Sequence, residues 1–220
     1  EKAGLLKMDF LGLRNLTMMA YIKKDIETHQ HRTIDLNHLP LDDVKTYQML
    51  SRADTFGVFQ LESAGMRHLL RRMKPHAFND IVDAIALYRP GPMENIPLYL
   101  ERRQSHHVTY LVPALEPILS STYGIIIYQE QIMQIAQVIA GFSLGKADVL
   151  RKAVSKKNAK TMAEMKEAFI QGSLKQGYSL KIATQIYDLI EKFANYGFNK
   201  SHSVAYAFVA YQLAYLKVHA

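Results

Sequence analysis

Apolar residues recur at helical spacing along most of the chain, and Gly, Pro and Ser/Asn positions mark the breaks between runs. The segment Gly145–Lys157, G-K-A-D-V-L-R-K-A-V-S-K-K, shows the pattern most plainly. Wound as a helix, it gathers Ala147, Leu150, Ala153 and Val154 into one apolar sector. Arg151 and Lys152 leave that sector on neighbouring faces, and Lys156 stacks one turn beyond Lys152. Lys146 and Lys157 add charge at the ends, and Asp148 is the one acid among them. The face is either a solvated basic surface or a contact for a partner carrying many negative charges.

The remaining elements follow from the same reading. Residues 5–11 alternate, with Leu6, Met8 and Phe10 on one face and Lys7 and Asp9 on the other, which predicts a short strand. The K-x-D pair is either an edge-strand ion pair or a metal-binding carboxylate beside a phosphate-binding lysine. Gly12 permits a turn into a helix from Arg14 to Thr28. Residues 29–43 form a loop, and Asp42 or Asp43 caps a helix to Leu50. Ser63 caps a helix to Met73 whose buried stripe is Met66, Leu69, Leu70 and Met73. Gln60 and Glu62 stand just before it, where a loop either presents them to a ligand or uses them to satisfy backbone groups. A helix from Phe78 to Tyr88 ends at R-P-G-P, residues 89–92. Arg89 at that rigid turn either points at a ligand or ties down a loop carbonyl.

Further on, Glu94–Arg103 reads as helical, Ile125–Ile127 as a short strand, and Gln129–Ala140, Lys160–Lys175 and Leu180–Tyr196 as amphipathic helices. No charge occurs from Ser203 to Leu216, so this helix belongs in the middle of a domain. It is too short to cross a bilayer. Its start, Asn199 to Ser203 with Lys200 and His202 between, offers unpaired N–H groups to an anion, or Ser201 or Ser203 simply caps it. The fold class is mainly α with short β elements.

Composition narrows the function classes. Apolar residues make up 49% of 220, enough for a core, which excludes a disordered chain. The net charge of +7 is concentrated: residues 146–181 hold nine Lys/Arg against three acids. Arg67, Arg71, Arg72 and Lys74 form a second patch with no acid among residues 63–75. Clustered positive charge points to phosphate-rich partners. The chain has no Cys, which suits a reducing cytoplasm, and shows no signal peptide or membrane-spanning run. Both ends fall next to structured elements, and we expect a piece of a longer protein. The H-x-H at 29–31 and the His106–His107 pair lack the spacing of a metal site.

Several runs together resemble the alpha subunit of bacterial DNA polymerase III, the C-family replicative polymerases. They are K-M-D-F-L-G-L (7–13), F-Q-L-E-S (59–63), A-L-Y-R-P-G-P-M (86–93), Y-G-I-I-I-Y-Q-E-Q (123–131), L-G-K-A-D-V-L-R-K-A-V-S-K-K (144–157) and Y-G-F-N-K-S-H-S (196–203). The resemblance implies that residues 1–14 end a palm domain, as its last strand and helix start, and that 15–220 are a helical fingers domain, truncated at its C-terminal end. It implies that Asp9 is the third of three catalytic aspartates and a Mg²⁺ ligand, the other two lying upstream of this chain. Lys7, Arg151 and Lys152 would bind the triphosphate of an incoming deoxynucleoside triphosphate. The family often has Arg-Arg at 151–152, and Lys152 loses the bidentate fork. Gln60, Arg89, Lys200 and His202 would line the pocket of the nascent base pair and primer end. Arg67, Arg71, Arg72, Lys156, Lys157 and Lys160 would contact the backbone of primer-template DNA. The implied activity is two-metal nucleotidyl transfer by a DNA-directed DNA polymerase, with the Mg²⁺ site completed outside this chain and the isolated piece inactive. Sliding clamp and other replisome partners would use regions mostly absent here. A rival reading is a non-catalytic helical nucleic-acid-binding module. A membrane-surface protein fits less well, because no long basic amphipathic helix is present.

Overall fold

The computed structural model describes residues 4–6, 8, 10–155, 159–194 and 196–220, without the side chains of residues 154, 155, 159, 160, 193 and 194. Lys7, Asp9, Lys156 and Lys157 therefore lie outside the described residues, as does the side chain of Lys160.

Among the described residues the helices are α1 (Arg14–Gln30), α2 (Val44–Arg52), α3 (Ala64–Met73), α4 (Phe78–Leu87), α5 (Ile96–Ser105), α6 (Glu116–Leu119), α7 (Gln129–Ala140), α8 (Leu144–Ser155), α9 (Ala159–Lys175), α10 (Leu180–Ala194) and α11 (Lys200–His219). Local chemistry sets several of their starts. The Asp43 carboxylate accepts from the Thr46 N–H at 2.8 Å, and the Ser63 hydroxyl accepts from the Met66 N–H at 3.3 Å. Gly141, at φ 65°, closes α7 in the left-handed region.

Neither expected strand is formed among the described residues. Residues 5, 6, 8 and 10 carry no regular structure, and Leu6 and Phe10 are 92% and 87% exposed. A lone extended segment has no neighbour to take its backbone hydrogen bonds, so alternation alone cannot hold it as a strand. No palm element stands beside it among the described residues. Ile125–Ile127 is buried but carries no strand, and the bridge beside it is the isolated parallel pair Tyr128 with Phe198. No described helix is long and apolar enough to cross a membrane.

The β-branched run explains itself through packing. The core divides into two apolar clusters. One is built from α1 to α5 and α11, and the other from α6 to α10. Ile125 and Ile127 face the first cluster and Ile126 the second, so the segment's period of two serves both sides. After α6–α10 complete the second cluster, α11 returns to the centre of the first. Its uncharged stretch is buried at Ala207, Ala210, Tyr211, Leu213, Ala214 and Leu216. Its polar groups are tied to carbonyls there: Ser203 Oγ donates to Val82 O at 2.6 Å, and Gln212 Nε2 to Leu36 O at 2.9 Å.

Candidate functional site

Of the sequence-selected residues that the structure describes, Arg89, Lys200 and His202 gather at residues 196–202, and Arg151 is linked to them through Gln129. Phe198 N–H donates to Ile127 O and Gln129 N–H donates to Phe198 O, both at 2.9 Å. Gln129 Nε2 adds a bond to Gly197 O at 3.1 Å. From the other side Arg89 reaches in. Its Nη2 donates to Tyr196 O at 2.6 Å, its Nε to Ala86 O at 2.9 Å, and its guanidinium lies 4.2 Å over the Phe198 ring. Burial lowers the Arg89 pKa from its ordinary value. Arg89 is thus the loop tie of the two sequence readings. Gly91 completes the turn at φ 97°, and a Cβ there would fall 2.1 Å from Tyr196 Cδ1. Only glycine admits both that backbone and that ring.

The start of α11 is more occupied than its sequence suggests. Asn199, rather than Ser201 or Ser203, is the cap, accepting from His202 N–H at 2.8 Å. Both Glu130 oxygens accept from Lys200 N–H at 3.1 Å. A carboxylate of the chain itself therefore sits where an anion would dock. The Lys200 ammonium lies 5.4 Å over the Tyr128 ring. The His202 ring stands between Phe198, at 5.5 Å, and Tyr206, at 4.0 Å. Tyr206 meets Phe59 edge-on at 5.1 Å. Gln60, next to Phe59, is exposed in the left-handed region at φ 63°.

Helix α8 supplies the cations. Arg151 Nε and Nη2 both approach Asp148 Oδ1, at 2.8 and 2.7 Å, and Nη1 donates to Gln129 Oε1 at 3.1 Å. Lys152 Nζ reaches Asp148 Oδ2 at 2.6 Å. The hydrogen bond from Lys152, then that from Arg151, holds the Asp148 carboxyl below the usual carboxylate range. The side chain of Arg151 is 26% exposed and that of Lys152 58%, so Arg151 is the better fixed of the pair. A row of contacts runs Lys152, Asp148, Arg151, Gln129, then residues 197–198 and Arg89. Asp148 was legible as an i,i+3 and i,i+4 partner. Gln129 and Glu130 were missed, because their partners at 197 and 200 lie about seventy residues on.

Beneath the site, Asp83 of α4 accepts from Tyr99 OH at 2.7 Å and from Tyr128 OH. Burial is the main cause that raises its pKa to about 6, and the two phenol bonds oppose it. A carboxyl with a raised folded pKa destabilises the fold once it must ionise. The loss is absent below the unfolded value of 3.8 and complete above about 6. Stability should fall by about 3 kcal/mol from this group as pH rises through that window. Asp83→Asn should abolish the increment, which urea unfolding at a series of pH values measures. Parallel curves for the two proteins would refute it.

The other basic residues stand apart from this row. Arg67 Nε donates to Ala53 O at 2.9 Å and is half-buried, which makes it a structural tie. Arg71 and Arg72 are exposed on a separate cleft. The described residues contain no group of three His, Asp or Glu able to hold a metal ion, so they do not by themselves make a Mg²⁺ site.

A family model described as the bacterial DNA polymerase III alpha subunit finger domain matches residues 15–177. Over its whole length the chain is similar to proteins named DNA polymerase III subunit alpha. Identity is 58% to that of Halalkalibacterium halodurans, 56% to that of Bacillus subtilis and 52% to that of Staphylococcus epidermidis. The chain spans about a fifth of each relative's length: 20%, 20% and 21%.

Proposed function

Because the chain belongs to the family of bacterial DNA polymerase III alpha subunit finger domains, we propose that it is the part of a template-directed DNA polymerase that receives the incoming deoxynucleoside triphosphate. The observation that carries this reading is the Arg151–Asp148–Lys152 cluster, fixed by Gln129 against residues 197–198. Arg151 and Lys152 then bind the β- and γ-phosphates, exchanging Asp148 for phosphate oxygens. Arg supplies the directional fork and Lys a mobile point charge. Lys7 adds a third cation from the end of the palm, residues 1–14, with the fingers taken as 15–220. Lys200 and His202 border the pocket for the nascent base pair. Gln60 is exposed at its edge, and Arg89 shapes it from behind through Tyr196 and Phe198.

Asp9 is one carboxylate, and Mg²⁺ needs further oxygen ligands from outside this chain. When bound there, the ion would neutralise charge on the phosphates. Primer-template DNA is the second partner, with Arg71, Arg72, Lys156, Lys157 and Lys160 offered to its backbone. The clamp and other replisome subunits would be met by the parent protein elsewhere, and the cytoplasm is the compartment such an enzyme requires.

Lys152→Ala in the full-length parent tests the reading. A lost charge-assisted contact of about 1.5 kcal/mol should raise the KM for nucleotide roughly tenfold. Primer-template affinity should stay constant. A variant that weakens DNA binding with nucleotide KM unchanged would move α8 to the duplex track and sink the assignment.

A further inference from the structure

Asp83 is a buried titratable group that the triphosphate reading does not use. It stands on α4, 5% exposed, and among the described residues it forms no ion pair. Its two oxygens are divided: Oδ2 accepts from Tyr99 OH at 2.7 Å and Oδ1 from Tyr128 OH. Both tyrosines are themselves closed to water. Burial raises the pKa of the carboxyl, so its charge costs the fold stability near neutral pH. Apolar side chains of the same shape would fill this space without that cost. A fully satisfied polar group held at such a cost points to a use in fixing one geometry.

That geometry is set out around Tyr128. Its backbone lies between the two hydrogen bonds to Phe198, which Ile127 O accepts and Gln129 N–H donates. The next residue, Gln129, accepts from Arg151 Nη1 at 3.1 Å, and the one after, Glu130, accepts from Lys200 N–H. The Tyr128 hydroxyl therefore anchors from below a segment that meets Arg151 on one side and Lys200 on the other.

The anchor is firm at its far end. Every residue from Asp80 to Leu87 is buried, so α4 cannot shift without disturbing a packed core. Val82, next to Asp83, takes Ser203 Oγ on its carbonyl at 2.6 Å. Adjacent residues of α4 thus hold the starts of α7 and α11. Gln131 orders the same turn locally, its Oε1 accepting from Ile127 N–H at 2.9 Å and Tyr128 N–H at 3.0 Å. Those bonds shape the turn but do not tie it to α4.

We propose that Asp83 is a positioning residue for the triphosphate site: through Tyr128 OH it sets where α7 begins, and Gln129 carries that placement to Arg151. Asp83 itself touches no substrate. The proposal rests on the triphosphate reading above and deepens it. The plainer account is that Asp83 only satisfies two buried phenols. Tyr99 separates the two, because it bonds the same carboxyl but leads elsewhere, its ring edge-on to Tyr123 at 5.1 Å.

Tyr128→Phe and Tyr99→Phe in the full-length polymerase subunit are the matched pair. Each removes one hydroxyl from Asp83 and keeps the ring, and thermal unfolding checks that both fold. Single-nucleotide incorporation is measured in each variant, alone and combined with Arg151→Ala, with primer-template affinity alongside. Tyr128→Phe should lower kcat/KM for nucleotide by about tenfold, short of the roughly 10²-fold that a 1 Å misplacement costs. Tyr99→Phe should leave it close to that of the unaltered protein. In the Arg151→Ala background the Tyr128→Phe loss should nearly vanish, because the group being positioned is gone. Where Tyr128→Phe does not fold, Tyr128→Phe with Asp83→Asn takes its place. That pair buries no charge, keeps an acceptor for Tyr99 and still lacks the anchor, so the same loss is expected. Equal losses of kcat/KM in the two phenylalanine variants overturn the proposal, as does a Tyr128→Phe loss undiminished without Arg151. So does an unaltered Tyr128→Phe beside an impaired Arg151→Ala, and the triphosphate reading then survives. If Arg151→Ala alone costs nothing, that reading fails and the proposal with it.

Discussion

Arg151→Ala in the full-length polymerase is expected to lower kcat/KM for nucleotide incorporation by about 10²–10³-fold, the usual cost of removing one preorganised donor from a developing charge. The size follows from how firmly the side chain is set. Asp148 holds two of its nitrogens and Gln129 a third, so the guanidinium is placed before any nucleotide arrives. Lys152 cannot substitute, because it is more exposed and presents a point charge. Arg151→Lys should recover part of the loss, since it restores charge but not the fork. Single-nucleotide incorporation kinetics, with primer-template affinity measured alongside, are the check. A loss that follows DNA affinity instead would assign Arg151 to the duplex.

The second large effect is on stability. Arg103→Ala should destabilise the chain by about 3–5 kcal/mol, because Asp80 would remain buried without its cation. Both side chains are nearly closed to water, at 9% and 8% exposure. For a chain of this size that corresponds to a fall in Tm of roughly 6–20 °C. Two backbone N–H groups would still satisfy one Asp80 oxygen, which argues for the lower half of the range. A thermal or urea unfolding curve decides it. A shift under about 1 kcal/mol would mean that water reaches Asp80 once the guanidinium is gone.

The helices were largely legible in the sequence because their signals are local. Ser63 and Asp43 cap as their spacing predicts, and Gln129–Ala140 is bounded as read, by the extended run before it and Gly141 after it. Strands were over-read. Alternation at 5–11 and a β-branched run at 125–127 report burial preference, whereas a strand also needs a partner, which local sequence cannot supply. At 125–127 the alternation divides side chains between two clusters. At the site, the family resemblance named Arg151 and Lys152, and the local i,i+3 and i,i+4 rule could have given Asp148. The residues that fix them, Gln129 and Glu130, were illegible because both work through segments distant in the chain. Arg89 illustrates a different limit. The sequence marked it as important at a rigid turn, but its target, Tyr196 O, is more than a hundred residues away.

The Tyr128–Phe198 bridge has a mechanical consequence. Both its residues pack with the first cluster, and the joint ties the start of α7, which enters the second, to the start of α11 through two backbone hydrogen bonds, Gln129 on Gly197 O and Glu130 on Lys200 N–H, with Arg89 braced against Phe198. Arg151 stands on α8, which packs in the second cluster, while Lys200 heads the helix that anchors the first. A ligand that grips both spans the joint as a splint does, and its affinity then depends on the angle at which α8 meets α11. By reciprocity, whatever fixes that angle tunes how tightly the ligand is held. If that ligand is the nucleotide proposed above, its occupancy and the placement of α8 against α11 form one coupled equilibrium.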